Sequence, residues 1–331
     1  MANKHANLDS LFNDIADAIR EKIGDGSIIP AVDFPDLIRE RLQVKPYLTF
    51  KSPNSFTLKV NDTTKHWNGT LEYSTNESTW TTWDGTTTLT SATKGSSNVL
   101  YMRGTGNTVI TGKNDINYKW VLIGNDIKCI GNIENLLDYV TVTAGNHPTM
   151  ASDCYTRMFY DCTALIQAPA LPATTLADSC YSQMFYGCTS LTQAPELPAT
   201  TLTDHCYTHM FRGCISLTKA PALSVTTLAG HCCSHMFRDC TSLTQAPALP
   251  ATTLPPFCYA YMFQDCTSLK LSTTQTGEYT VEYRIPSFGT GTTGTNSNAL
   301  IGMFASTGGT FKGTPSINTA YYLSNTNTVV S

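Results

Sequence analysis

The chain has 331 residues, a formal net charge of -4 and a charged fraction of 14%. This balance gives no sign of a general nucleic-acid binder, which normally carries a basic patch, and no apolar run reaches the roughly 18–20 residues that a membrane-spanning helix needs. The abundance of Thr, Ser, Asn and Gly favours a β-rich, turn-rich fold over a helical enzyme.

Residues 1–43 are predicted to form a helical module. Apolar residues recur at three- and four-residue steps until Gly24, which ends the pattern. A second short helix follows, with Pro35 in its first turn. Such a pair cannot bury its own apolar face, so it is either a capping subdomain or a segment for self-association or docking. The candidate attachment residues are Leu8, Leu11, Phe12, Ile15 and Ile19.

The same N-terminal segment lacks the features of a secretion signal. Asp9, Asp14 and Asp17 interrupt its apolar positions, and no small-residue cleavage site follows. We therefore expect a product that is made in the cytoplasm and is not exported by the usual route.

Residues 44–112 are predicted to form a small β-sandwich that acts as a spacer. Their runs alternate apolar and polar residues between Gly, Asn and Asp turns, which is typical of short antiparallel strands. Trp80 and Trp83 lie near one turn. Exposed tryptophans can stack on sugars, but packing in a core or at a sheet edge is their commoner arrangement.

Residues 154–272 contain five copies of one 26-residue pattern. A fixed period between 20 and 50 residues indicates a stacked repeat architecture. One copy cannot bury its apolar residues alone, so we expect them to pack against the same residues of neighbouring copies. Each copy opens with a cysteine that a Met-Phe pair follows four residues later; these cysteines are Cys154, Cys180, Cys206, Cys232 and Cys258.

Ten of the twelve cysteines occupy two positions of the repeat, as Cys-x7-Cys in every copy. This arrangement favours reduced, buried thiols in ladders, because free cysteine behaves as a small hydrophobe. Disulfides are the alternative. A zinc site is disfavoured because this is not a usual zinc spacing.

The regions on either side of the repeats are predicted to be irregular caps, because terminal repeats cover the open ends of a stack. Residues 113–153 hold a strand-like run followed by Asn-rich turns. Residues 273–331 hold a degraded final coil, in which Met303-Phe304 precede Pro315 by nearly the distance that separates Met158-Phe159 from Pro169.

The pattern Phe-x-x-Cys-x-x-Leu resembles the BspA-like leucine-rich repeats, most closely in "MFYGCTSLT" at 184–192 and "MFRDCTSLT" at 236–244. The resemblance covers about a third of the chain and implies a right-handed solenoid with short parallel strands on one face. Prolines at 169, 195, 221 and 247 depart from the family, and because proline cannot donate to a strand ladder those strands must be short or interrupted. The predicted fold class is therefore mainly β: a helical segment, a small β-sandwich and a leucine-rich-repeat-type solenoid of 26-residue coils.

The stretch "LFNDIADAIREKIGDGSIIPAVDFPDLI" is similar to the helical module that begins many tail-associated proteins of phages and prophages of gut bacteria. This resemblance implies a bacteriophage virion protein, which needs no signal peptide because virions leave the cell by lysis. It implies other virion proteins as partners of the N-terminal segment. It also implies a homo-oligomer, for which a trimer is one candidate.

The sequence carries no recognisable catalytic motif. It has no G-x-S-x-G, P-loop, dinucleotide fingerprint or H-E-x-x-H, and its carboxylates are scattered. We therefore predict a protein that is not an enzyme and takes no cofactor.

The positions that vary within the fixed repeat frame are the candidate binding positions. They directly precede the first cysteine, follow it by three residues, or follow the Met-Phe pair, and we expect them to face solvent. Their Tyr, Arg and His residues are types that serve recognition well. The candidate binding residues are Tyr160, Tyr186, Arg212, Arg238, His209, His235 and Tyr261.

Two His-x3-His pairs occur in adjacent copies, His205 with His209 and His231 with His235. If these segments are helical, each pair shares a face, and stacking could bring four imidazoles together as transition-metal ligands. The favoured alternative is that tandem duplication copied an exposed histidine pair, with no metal.

These features favour a phage tail-fibre or receptor-binding protein whose solenoid recognises a glycan or protein of the host cell surface. A non-adhesive virion part, such as a baseplate or head-fibre decoration, is the alternative. A bacterial adhesin is third. A polysaccharide-degrading enzyme is fourth, because it would need paired carboxylates. No nucleic acid and no membrane insertion are expected.

Overall fold

The computed structural model of the chain describes residues 45–269 and 298–307, apart from residues 63, 113, 114, 245, 248, 250 and 252. The helical module predicted at 1–43, with its attachment candidates, lies outside the described residues, as does most of 273–331. Over the described part the fold is mainly β, which confirms that part of the predicted fold class. This part holds one α-helix and two sheets, neither of which closes into a barrel.

The regular elements are concentrated before the repeats. A 3₁₀ turn at Ile116–Tyr118 and a helix α1 at Asn135–Thr143 accompany ten strands. In chain order the strands are β1 Leu48–Ser52, β2 Thr57–Val60, β3 Thr70–Ser74, β4 Thr81–Thr82, β5 Leu89–Thr90, β6 Ala92–Lys94, β7 Ser97–Thr105, β8 Trp120–Ile123, β9 Ile127–Ile130 and β10 Leu165–Gln167.

The strands form two sheets. The larger has the order β10-β9-β1-β7-β3-β4, with β6 also pairing with β7, and its only parallel pair is β9 with β10. The smaller is antiparallel, with the order β5-β2-β8. The alternation read from the sequence is visible in β1, where Leu48, Phe50 and Ser52 are buried and Lys51 is exposed, as expected for a strand with one face on a core.

The two sheets extend beyond residue 112, the end of the predicted sandwich. Strand β8 pairs with β2 from Val60–Trp120 to Thr57–Ile123, and β9 pairs with β1 through Phe50–Cys129. The run at 120–130, which the pattern assigned to a cap of the repeats, therefore completes both sheets. Periodicity identified these residues as strands, but it carries no information on which partner they select.

The segment after β9 also differs from its prediction. Instead of Asn-rich turns it forms α1, which is interrupted at Asp138, where φ is -154°. Leu136 and Leu137 are fully buried. Their carbonyl oxygens accept hydrogen bonds from the side chain and the backbone amide of Asn107, respectively. Burial of the two leucines thus outweighs the turn preference of the neighbouring asparagines.

The β region and the first repeat share one continuous core. Phe50 lies 6.4 Å from Trp120 and 6.3 Å from Phe159, measured between ring centroids. The backbone continues the contact, because the amides of Ile110 and Trp120 donate to the carbonyls of Cys154 and Met158. The β region therefore packs directly against the first copy of the repeat.

Successive repeats are joined by a regular set of backbone hydrogen bonds. Within the first copy, the amides of Thr156 and Met158 donate to carbonyls three residues back, whereas those of Tyr155 and Arg157 donate to the next copy. The alternation satisfies both kinds of amide without a helix or a continuous strand. The Phe-to-Met bonds between copies all measure 2.9 Å: Phe159–Met184, Phe185–Met210, Phe211–Met236, Phe237–Met262 and Phe263–Met303.

The last of these bonds places Met303 and Phe304 as the next copy in the series. The Phe263 and Phe304 rings stack with centroids 5.5 Å apart, close to the 5.6 Å between Phe211 and Phe237. Residues 298–307 thus continue the hydrogen-bond and ring series of the preceding copies, as the prediction of a final coil at Met303-Phe304 expects. We call residues 153–269 with 298–307 the repeat stack.

All twelve cysteines are free, buried thiols, as the ladder interpretation predicted. The second cysteine of each copy also has a polar contact that the sequence did not reveal. The Cys188 thiol donates to the Phe159 carbonyl 29 residues earlier at 3.0 Å, and Cys214, Cys240 and Cys266 do the same to Phe185, Phe211 and Phe237. Each thiol thus joins one copy to the preceding one.

Candidate functional site

The variable positions of the repeats form three columns along the repeat stack. The first column is Asp153, Ser179, His205, His231 and Phe257. The second is Arg157, Gln183, His209, His235 and Tyr261. The third is Tyr160, Tyr186, Arg212, Arg238 and Gln264.

The columns contain all seven candidate binding residues, but they are less exposed than expected. Of all the column residues only His205 is exposed. The others, including the seven candidates, are half-buried. One reason is that many of these side chains lie against their equivalents in the next copy, as Arg157 does against Gln183 and His209 against His235. The expected solvent-facing stripe is therefore only partly exposed.

The backbone beneath the first two columns is unusual. All of their φ angles lie between 54° and 58°, a left-handed region that few residues other than glycine adopt. The turn bonds fix this geometry, for example from the Thr156 amide to Asp153 and from the Tyr160 amide to Arg157. Such strain often marks functional positions. The position before each second cysteine also has a positive φ, and there the mixture of Asp and Gly, as at Asp161 and Gly187, is a sequence signal for it.

Aromatic side chains of the columns stack face to face. In the third column Tyr160 and Tyr186 have centroids 4.5 Å apart. In the second, His209 lies 4.4 Å from His235, which lies 4.8 Å from Tyr261. The first column continues the pattern, with His205–His231 at 4.6 Å and His231–Phe257 at 4.7 Å. A ring with a stacked neighbour on each side, such as His235 or His231, is thus covered on both faces.

The charged side chains of the third column are paired with carboxylates. The Arg212 Nε lies 3.0 Å from Asp239 Oδ2. Arg238 is 3.7 Å from both Asp239 and Asp265. The Arg212 guanidinium also lies 5.4 Å from the centre of the Tyr186 ring. These contacts fix the arginine side chains along the column and balance their charge.

Two histidines of the second column are held in the neutral form. Burial, followed by the charge of His235, lowers the pKa of His209 to about 3. Burial, followed by the charge of Arg238, lowers the pKa of His235 to about 4. The Nδ1 atoms of both rings are buried without a hydrogen-bond partner, so a charge on either ring would be poorly solvated.

The four histidines do not form the metal cluster that a helical segment would have made possible. The segments around them are successive turns and not helices, so the rings form two separate stacks, His205–His231 and His209–His235. Within the described ranges no group of three or more His, Cys, Asp or Glu side chains is placed to hold a metal ion.

A groove on the proline-rich part of the repeats is a second candidate surface, which the sequence analysis did not predict. It has adjoining volumes of about 680 and 650 Å³, both lined by Gln193, Ala194, Glu196 and Pro198. Proline lacks the amide that a strand ladder requires. Here the copies are joined by isolated bridges such as Leu197–Leu223 and Thr201–Thr227.

A buried carboxylate lies beside a smaller cavity at the start of the repeats. Glu134 is 1% exposed, and both of its oxygens lie 2.9 Å from Nδ1 of His147. The cavity of about 330 Å³ is also lined by Thr149, Thr174 and Thr175. No sequence motif contains these residues. The contact ties the segment after α1 back to the residue that directly precedes the helix.

The two tryptophans weighed as sugar contacts have different environments. Trp83 is 1% exposed and stacks on Trp67 at 5.0 Å, so it belongs to the core. Trp80 is half-buried, and the Arg103 guanidinium covers it at 4.0 Å from the ring centre. The edge-packing alternative therefore describes Trp80 better than an open sugar platform.

Comparison of the chain with protein families, with curated proteins and with solved structures gives no match. Among the described residues, no helix has the length and apolar character to span a bilayer.

Proposed function

We propose that the chain is a phage virion protein of the tail-fibre or receptor-binding type, and that its repeat stack recognises a component of the host cell surface. The observation that carries the proposal is the alignment of the variable residues in three columns. Their frame is fixed by hydrogen bonds and buried Phe, Met and Cys side chains, so the columns can change while the stack is preserved. A scaffold of this kind suits a recognition surface.

In this proposal the repeat stack is a BspA-like leucine-rich-repeat solenoid. Its support is the 26-residue spacing of the interlocking hydrogen bonds, such as Phe185 to Met210 and Phe211 to Met236. Two isolated parallel bridges, Leu197–Leu223 and Thr201–Thr227, lie where the family has its strands. The resemblance of residues 184–192 and 236–244 to that family adds to this support.

The N-terminal module supplies attachment in this proposal. Leu8, Leu11, Phe12, Ile15 and Ile19 would contact other virion proteins or further copies of this chain. The support is the amphipathic spacing of these residues and the resemblance to phage tail-associated modules. The chain would then be located in the virion.

The test uses the full chain, because a cut at residue 112 would separate β8 and β9 from their partner strands. The labelled protein is applied to a panel of intact gut bacteria and is expected to bind a narrow set of strains. A column variant carrying Tyr186→Ala, Arg212→Gln and His235→Asn should lose most of this binding. Lys219 also lines the groove, and a groove variant carrying Gln193→Ala and Lys219→Ala should retain this binding.

The outcomes separate the candidate roles. If the parent chain binds no strain while pull-down recovers it with other virion proteins, the chain is a building part of the particle and not a receptor reader. If the groove variant loses binding and the column variant retains it, recognition belongs to the groove. Circular dichroism and the thermal midpoint of each variant must match those of the parent chain for the comparison to hold.

A further inference from the structure

The column surface, meaning the second and third columns together, also indicates the chemistry of its ligand. We infer that this surface binds an uncharged glycan that lies along the axis of the repeat stack. The inference rests on the proposed function and names the ligand class for the same site.

The first argument is the charge of the surface. Arg212 and Arg238 pair with Asp239 and Asp265, and at the first copy Lys119 lies 3.7 Å from Asp161. An anionic polymer would have to compete with these carboxylates for each cation. A polymer without charge leaves the pairs intact. Its hydroxyl groups can form hydrogen bonds to both the arginine and the aspartate side chain of a pair.

The second argument is the orientation of the rings. The faces of Tyr186, His209 and His235 lie against neighbouring side chains. They are therefore not available as the aromatic anchors on which protein interfaces depend. In the described part of the repeat stack, Ile215 is the only exposed large aliphatic side chain, and it belongs to none of the columns. The surface consists of polar side chains, which suits a ligand rich in hydroxyl groups better than an apolar protein interface.

The third argument is the hydrogen-bonding capacity left unused. Four buried atoms of the column surface have no hydrogen-bond partner: His209 Nδ1, His235 Nδ1, Arg238 Nε and Gln264 Oε1. The arginine nitrogen is a donor, the glutamine oxygen is an acceptor, and a neutral imidazole nitrogen can be either. Hydroxyl groups both donate and accept, so a glycan matches this mixture of donors and acceptors, whereas a phosphate or carboxylate only accepts.

The fourth argument is the spacing. Equivalent rings recur every 4.4 to 4.8 Å along the second column, so the same kind of group is presented repeatedly along one line. A linear polymer with its own short repeat can use several of these positions at once, and each additional contact then forms at high effective concentration.

The experiment is a competition for binding of the labelled full chain to a strain that it recognises. Surface polysaccharide from that strain is separated by anion exchange into uncharged and anionic fractions, and surface proteins are released separately with protease. We expect only the uncharged fraction to compete. It should compete equally well in about 1 M NaCl, where the Debye length is about 3 Å and exposed charges are screened.

Matched variants locate the contact. Gln264→Ala removes a hydrogen bond to the ligand and should weaken competition by the uncharged fraction about tenfold. His209→Asn should have the same effect, and asparagine tolerates the positive φ of this position. Gln193→Ala makes the same chemical change in the groove and should have no effect. The comparison holds for each variant whose thermal midpoint matches that of the parent chain.

Other results would overturn the inference. Competition by the anionic fraction or by released protein alone would mean that the chain binds cells but the ligand class is wrong. Equal behaviour of Gln264→Ala and Gln193→Ala would move the site away from the column surface. If the chain binds no strain, the proposed function fails, and the inference fails with it.

Discussion

The imidazole rings of His209 and His235 stack with centroids 4.4 Å apart and ring planes 11° apart. Their Nδ1 atoms are both buried without a hydrogen-bond partner, and Arg212 and Arg238 contribute further positive charge nearby. Protonation of either ring would therefore place a cation among cations in a poorly solvated position. Asp239, which opposes this effect at His235, is already paired with both arginines.

This pair should make the stability of the protein depend on pH. In the unfolded chain the two imidazoles gain protons as the pH falls below about 6.5, whereas in the folded chain their pKa values are about 3 and about 4. The unfolded state binds more protons in this window, so the free energy of unfolding falls as the pH drops from 6.5 towards 4. Urea midpoints measured between pH 7 and pH 4.5 should show this loss.

The control is the double variant His209→Asn with His235→Asn, which removes both titrating groups and keeps residues suited to positive φ. Its stability should fall less than that of the parent chain over the same pH range. A His205→Asn variant, which changes the exposed histidine of the first column, should follow the parent. Parallel curves for all three proteins would show that the stacked pair does not contribute.

Truncation of a ring in the middle of the phenylalanine ladder should destabilise the stack strongly. Phe211 is fully buried, with a neighbouring ring 5.6 Å away on each side. Phe211→Ala should lower the free energy of unfolding by about 3–5 kcal/mol, because it loses two stacked contacts and leaves a cavity. Phe257→Ala at the half-buried first column should cost clearly less. Chemical denaturation of both variants tests this difference.

The thiols should be unreactive in the folded protein. All twelve are buried, and burial raises the pKa of Cys214 and Cys240 well above the usual range, so few thiolates form. A thiol reagent at about pH 8 should label none rapidly in buffer and all twelve in guanidinium chloride. Rapid labelling of the native protein would contradict the packing of the two ladders.

Replacement of Arg103 should weaken the attachment of α1 to the larger sheet. Its guanidinium lies 4.0 Å from the Trp80 ring centre and 4.4 Å from that of Tyr139, and its Nε donates to Glu72 at 2.8 Å. Arg103→Met keeps the apolar stem but removes both cation–π contacts, at a cost of about 1–2 kcal/mol. Lys51→Met, at an exposed position of β1, is the control and should change the unfolding midpoint little.

The sequence by itself determined the repeat. The 26-residue recurrence of Cys, Met and Phe predicted which side chains are buried, and even Met303 and Phe304 were recognised as a further copy across an insertion. This succeeds because stacked copies impose the same environment on the same position, so periodicity and burial become one signal. The alternation at residues 48–52 predicted a strand for the same kind of local reason.

Only the tertiary structure decided which elements pair and how the variable residues lie. The partners of β8 and β9 are set by long-range contacts around Phe50 and Trp120, which no local pattern encodes. The positive φ of the columns is imposed by hydrogen bonds to neighbouring turns and copies. Because of this geometry the variable side chains lie in half-buried stacks instead of the expected solvent-facing stripe. The histidines that a helix would have placed on one face lie in two separate stacks.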